Sequence, residues 1–297
     1  MTNLLQKTAN YLQLANAQPS LVEMEPAVAR ELRKAAYKEL AIETTDTTFT
    51  ARDGAQIPVR IYKPTAARDV IVYYHGGGWV INDINTSHES CTLLAEATGH
   101  IVVSVDYRLA PEYKFPVPVN DAHDAFLWVQ RAFSQARISV SGDSAGGNLA
   151  IAVSQLVGRA QIASQLLLYP VTDLSYDSAS YATYARGYGL DKDVMQWFGA
   201  HYIRDEQDAK NPLIAPLRAE KLDNQPPTYL IVAENDVLKD EGIAFAERLR
   251  KTNVPVQLSV AAGVVHSFFT KNDVFADEIH DTIKGIQHFL THQVYAK

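Results

Sequence analysis

Apolar residues recur along this chain with two alternating periods. Short β-branched or aromatic runs of four to six residues stand at 70–74, 101–106, 138–141, 165–169, 228–233 and 256–260. Between them lie longer stretches with helical spacing, at about 86–98, 120–133, 148–157, 240–252 and 276–292. The short runs are apolar on both faces, as expected of strands covered from two sides. Residues 45–63 read as further strands with a turn at Asp53-Gly54. Strands alternating with helices predict an α/β fold with a mostly parallel sheet of about eight strands flanked by helices. Two segments fall outside the alternation. The first forty-odd residues are helical in pattern: Leu4, Leu5, Tyr11, Leu12 and Leu14 form one apolar group, and Val28, Leu32, Ala35, Ala36 and Leu40 a second, opened by Pro26. The other segment, 175–220, is rich in Tyr, Trp and Phe.

Length and charge narrow the class. With 297 residues and 47% hydrophobic content, the chain suits one large domain with a substantial core, 1–297. A net charge of −7 gives no basic footprint for nucleic acid or an anionic membrane. Met1-Thr-Asn-Leu-Leu-Gln-Lys-Thr lacks the basic-then-apolar order of a signal peptide, and no apolar run approaches the roughly twenty residues that span a bilayer. A cytoplasmic location is expected. The single cysteine, Cys91, cannot form an internal disulfide and is expected on a buried helix face.

The chemistry concentrates where strands end. Gly142-Asp-Ser-Ala-Gly146 follows the 138–141 run and precedes a helix, which is G-x-S-x-G in strand–turn–helix context. Its glycines permit a sharp turn that lifts the Ser144 hydroxyl above the sheet. Upstream, His75-Gly-Gly-Gly-Trp79 follows the first apolar strand. A glycine run there lets backbone N–H groups converge on a developing oxyanion, and Ala145, after the serine, supplies another donor. The serine needs a base to take its proton. His266 lies in a loop after the last strand, where a side chain can turn toward Ser144; His75, His100, His123, His280 and His288 occupy less suitable places. Two strand-end carboxylates, Asp173 and Asp236, could orient that histidine.

His75-Gly-Gly-Gly-Trp79, Asp106-Tyr-Arg-Leu-Ala-Pro-Glu112, Gly142-Asp-Ser-Ala-Gly-Gly-Asn148, Leu168-Tyr-Pro170, Asp236-Val-Leu-Lys-Asp-Glu-Gly242 and His266-Ser-Phe268 run in this order. Together they resemble the hormone-sensitive-lipase-like esterases, bacterial family IV of the α/β-hydrolases, over about three quarters of the chain from residue 70 onward. The resemblance implies a serine carboxylesterase acting on short- to medium-chain acyl esters, with no metal or organic cofactor. It selects Asp236 as the acid, leaving Asp173 a turn-former, and it adds Gly77 and Gly78 to Ala145 as oxyanion donors. It implies a helical cap built from about 1–44 and 175–220. Leu190, Val194 and Phe198 on the cap helix, with Trp79 beside the glycine loop, are candidates to line an acyl pocket. Asp240 and Glu241 are expected to serve the start of a helix, and Arg108 and Glu112 to be buried ion-pair partners. Two positions depart from the family pattern: Val237 stands where proline is common, and Ser267 where glycine is common. The partner is expected to be a small-molecule ester, and the protein a monomer or homodimer. Rival readings are a deacetylase or amidase on a specialised substrate, and a non-catalytic receptor-like binding module.

Overall fold

The computed structural model describes residues 4–294; residues 1–3 and 295–297, at the two ends of the expected domain and its first cap segment, lie outside the described residues. Its centre is an 8-stranded sheet in the order β1-β2-β4-β3-β5-β6-β7-β8. The strands are β1 (Thr44–Thr50), β2 (Gln56–Tyr62), β3 (Val70–Tyr74), β4 (Ile101–Val105), β5 (Ile138–Asp143), β6 (Gln165–Leu168), β7 (Thr228–Asn235) and β8 (Val256–Val265). β1 and β2 pair antiparallel at one edge, and β2 meets β4 antiparallel. All pairings from β4 through β3 to β8 are parallel.

Every residue of β3 to β6 is buried, as the continuous apolar runs predict for strands covered on both faces. Alternate residues feed two separate cores. Val70, Val72 and Tyr74 point to one core with Phe126 of α4 (Val117–Ala132), Leu149 of α5 (Ala145–Val157) and Phe245 of α8 (Lys239–Lys251). Ile71 and Tyr73 point to the other, with Cys91 and Leu94 of α3 (His88–Thr98) and Ile279, Ile283 and Ile286 of α9 (Asn272–Phe289). Cys91 is buried there as expected, and burial pushes its thiol up to about 12.

The two segments outside the alternation lie around a cavity at the C-terminal ends of the parallel strands. The first carries α1 (Gln6–Ala15), a 3-10 turn at Leu21–Glu23 and α2 (Pro26–Arg33); the second carries α6 (Ala179–Thr183) and α7 (Lys192–Tyr202). α2 opens at Pro26 as predicted, but it ends at Arg33, so Ala35, Ala36 and Leu40 do not continue it. Their stretch is laid against α3 instead. Tyr37 packs 5.0 Å from the His88 ring, Arg60 sits 4.9 Å over Tyr37, and Lys38 pairs with Glu89. These contacts outweigh a weak helical periodicity. The expected apolar stripe is also turned: Val28 and Leu32 are exposed, while Pro26 and Ala29 face inward. Other boundaries move by a few residues, α5 beginning at Ala145 and α9 at Asn272.

Candidate active site

Three side chains converge from the ends of three parallel strands. Ser144 follows β5, Asp236 follows β7 and His266 follows β8. Ser144 Oγ lies 2.9 Å from His266 Nε2, and His266 Nδ1 lies 2.6 Å from Asp236 Oδ2. The second oxygen of Asp236 accepts the Leu238 N–H at 3.0 Å, which fixes the carboxylate plane. With Asp236 ionised, Nδ1 carries the ring proton and Nε2 is left to accept from the serine hydroxyl. All three residues are buried. The ring of Tyr169 lies edge-on to His266 at 4.9 Å and walls off one side of the imidazole.

The turn that carries Ser144 is strained and close-packed. Its backbone has φ +55° and ψ −119°, a region that L-residues visit at about 1–3 kcal/mol. The Ser144 N–H donates to Leu168 O and its carbonyl accepts from Asn148 and Val171, so the strained conformer is held by hydrogen bonds on both sides. A Cβ on Gly146 would come within 1.9 Å of Tyr74 O; only glycine lets α5 approach the sheet this closely.

The glycine loop follows β3. Gly77 and Gly78 line the same cavity as Ser144, and Ala145 is the first residue of α5. Among the described residues, no turn or cap hydrogen bond uses the N–H of Gly77, Gly78 or Ala145. Three N–H groups in the neighbourhood of Ser144 are thus free of such partners, that of Ala145 at the N-terminal end of α5. Asp143 sets the loop. Its Oδ1 accepts from Tyr73 Oη at 2.8 Å and from the Gly76 N–H at 2.9 Å. Burial pushes this carboxyl up, against the pull of the Tyr73 hydroxyl. From the sequence Asp143 reads only as part of the turn; the signal for a further role is a charged residue inside an otherwise small and apolar strand end.

The cavity measures about 620 Å³, within the range of small-molecule sites. Leu190, Val194 and Phe198 line it, Leu190 preceding α7 rather than lying on it. Trp79 does not line it. Its backbone has φ +61°, and its indole is fully buried, stacked on Tyr202 at 4.2 Å.

The remaining carboxylates have structural partners. Asp173 takes the Leu174 N–H and pairs with Arg218 at 2.7 Å, as a turn-former would. Asp240 accepts from the Ser180 N–H. Glu241 is buried and accepts from the backbone N–H groups of Thr172 and Asp173, so it ties α8 to the segment after β6 rather than serving only its own helix end. Arg108 pairs with buried Asp121 at 2.6 Å and with Asp53 at 2.8 Å. Glu112 is half-exposed and binds Arg30, so the expectation of a buried partner is corrected for it. Among the described residues, no group of three or more His, Cys, Asp or Glu side chains is placed to hold a metal ion. No helix among them is long and apolar enough to cross a membrane.

A family profile described as alpha/beta hydrolase fold matches residues 71–270. The chain is 35% identical over 298 residues to an ethyl acetate hydrolase of Pseudomonas putida, covering 91% of this chain and 94% of that one. It is 37% identical over 256 residues to an arylesterase of Saccharolobus solfataricus, covering 83% of each. Among solved structures, a hyperthermophilic esterase from the archaeon Pyrobaculum calidifontis superposes with a TM-score of 0.89 at 33% identity, over 99% of this chain and 100% of that one. A thermostable esterase from Pseudomonas putida gives 0.89 at 30% identity, over 97% and 96%. The chain belongs to the alpha/beta-hydrolase family and, within it, to the hormone-sensitive-lipase-like carboxylesterases.

Proposed function

We propose that this protein hydrolyses short- to medium-chain acyl esters with Ser144 as nucleophile, His266 as general base and Asp236 as the group that orients it. The observation that carries the reading is the unbroken hydrogen-bonded chain from Ser144 Oγ through His266 to Asp236, opening into a cavity. His266 Nε2 takes the Ser144 proton as Oγ attacks the ester carbonyl. Asp236 keeps the ring in the required tautomer and stabilises the imidazolium. The N–H groups of Gly77, Gly78 and Ala145 meet the oxyanion, where each such donor contributes on the order of 10²–10³ in rate. His266 then protonates the departing alcohol, and water repeats the cycle on the acyl-enzyme.

Segments 1–44 and 175–220 act as a cap within a single domain. Leu190, Val194 and Phe198 form the acyl wall; the modest cavity volume supports short chains. The names of the relatives, an ethyl acetate hydrolase and an arylesterase, point the same way. A monomeric or homodimeric cytoplasmic enzyme is part of the same reading.

The test is p-nitrophenol release from acetate, butyrate, octanoate and palmitate esters, with Ser144→Ala alongside. Turnover that favours the shorter chains and disappears in the variant is expected. Palmitate exceeding butyrate would overturn the chain-length reading, and a folded wild type inert on every ester would overturn the reaction itself.

A further inference from the structure

The cavity lining brings together three hydrogen-bond donors from three separate segments. Lys271 follows the 3-10 turn Phe268–Thr270, close in sequence to His266. Arg33 is the last residue of α2, and Tyr11 lies on α1; all three line the cavity that contains Ser144 and His266. Among the described residues, no carboxylate is within ion-pair distance of Lys271 or Arg33, and nothing hydrogen-bonds the Tyr11 hydroxyl. The Tyr11 ring is fixed by an edge contact to Phe275 at 5.7 Å, and burial pushes its hydroxyl up, so it remains a donor. Lys271 is half-buried. Burial, and then the charge of Arg33, push its ammonium down; Asp273 and Asp143 pull the other way.

The other carboxylates of the cavity do not answer this positive charge. Asp143 is engaged under the glycine loop, Asp193 pairs with Arg186 at 3.0 Å, and Asp191 accepts the Gly187 N–H at 2.7 Å. Glu23 is exposed. Lys271 and Arg33, two cations with no carboxylate within ion-pair distance among the described residues, and the Tyr11 phenol line one cavity, an arrangement suited to receive an anion.

We propose that Lys271, Arg33 and Tyr11 form a subsite for a carboxylate on the substrate, so that the enzyme prefers esters bearing a free carboxylate over neutral esters of matched size. The inference rests on the reading of Ser144 as the nucleophile in this cavity. The three residues are specificity residues, distinct from the triad and from the oxyanion donors.

Matched pairs of esters test it. Mono-p-nitrophenyl glutarate against p-nitrophenyl butyrate places the charge on the acyl side; 3-butyryloxybenzoate against phenyl butyrate places it on the alcohol side. In the wild type, one pair is expected to favour the anionic member by about tenfold or more in kcat/KM, through KM. Lys271→Met should bring that ratio toward unity, Lys271→Arg should keep it, and the more exposed Arg33→Gln should lower it. The neutral ester in each pair reports every variant's own competence, so loss of fold cannot mimic the result. A wild type that favours the neutral member in both pairs, or a preference that survives both Lys271→Met and Arg33→Gln, overturns the proposal. Glutarate binding to the Ser144→Ala protein, measured by calorimetry, keeps the subsite testable if the ester reading fails. Binding weakened about tenfold by Lys271→Met supports the subsite, and binding unchanged by that substitution rejects it.

Discussion

Replacing Gly78 by alanine asks whether the glycine loop takes its shape from the helix above it. Gly78 has φ +58°, and an added Cβ would lie 2.1 Å from Phe198 Cγ. That is roughly 1.4 Å inside the carbon–carbon optimum of about 3.5 Å. The left-handed backbone adds about 1–2 kcal/mol of strain for any L-residue. Either α7 lifts or the loop sinks, and a sinking loop carries the Gly77 and Gly78 N–H groups out of position. An error of about 1 Å in reacting geometry can lower the rate about 10²-fold, comparable to losing one oxyanion donor. Gly78→Ala is therefore expected to lower kcat for p-nitrophenyl butyrate by about 10²–10³ with little change in KM. Phe198→Ala removes the obstructing ring, so in that background the same glycine substitution should lower kcat by about tenfold at most. Steady-state kinetics on all members of the cycle, with thermal melts to verify folding, measure the coupling. Equal losses in both backgrounds would refute the argument and leave φ alone as the reason for the glycine.

Three further outcomes are expected. Asp236→Asn should retain the fold and lower kcat by up to about 10⁴, because the amide no longer enforces the productive imidazole tautomer; a loss under about tenfold would remove Asp236 from its role. Burial holds the Glu241 carboxyl well above its ordinary value, so the folded protein keeps a proton that the unfolded chain releases. Its contribution to stability is complete below the unfolded glutamate range and declines as pH rises toward the folded value. Urea midpoints from about pH 5 to about pH 8 should thus fall less steeply in Glu241→Gln than in the wild type, and parallel slopes would contradict this. Ser267 has φ +62°, so Ser267→Gly should stabilise the protein by about 0.5–1 kcal/mol, strain relief outweighing glycine's chain entropy. A lower denaturation midpoint would show that the serine side chain contributes more than its backbone strain removes.

The elements most legible in the sequence were those whose chemistry is local. An apolar run buried on both faces can only be an interior strand, so β3 to β6 were found to within a few residues. The serine turn and the glycine loop were legible because steric need restricts those positions to glycine. His266 was legible because few loops lie at the end of the last strand. What escaped depended on distant partners. Trp79 adjoins the loop in sequence, but a positive φ turns its indole away from the cavity onto Tyr202. The helical spacing through Leu40 yields to Tyr37 and Lys38 docking on α3. The grouping of Tyr11, Arg33 and Lys271 arises from segments far apart in the chain, and no spacing rule anticipates it.

The stacking of Trp79 on Tyr202 ties α7, which lines the cavity through Val194 and Phe198, to the end of the glycine loop. α7 is anchored at that stack, by the Phe115 N–H on Tyr202 O at 3.0 Å, and by Phe198 seated on Gly78. It cannot swing without dismantling the loop below. α1 is moored as well, by Thr8 on Gly263 O, by Lys7 on Glu278 and by Tyr11 against Phe275. A covalent tether between α7 and the core is expected to leave turnover unchanged, since it would restrain a helix that the loop already holds.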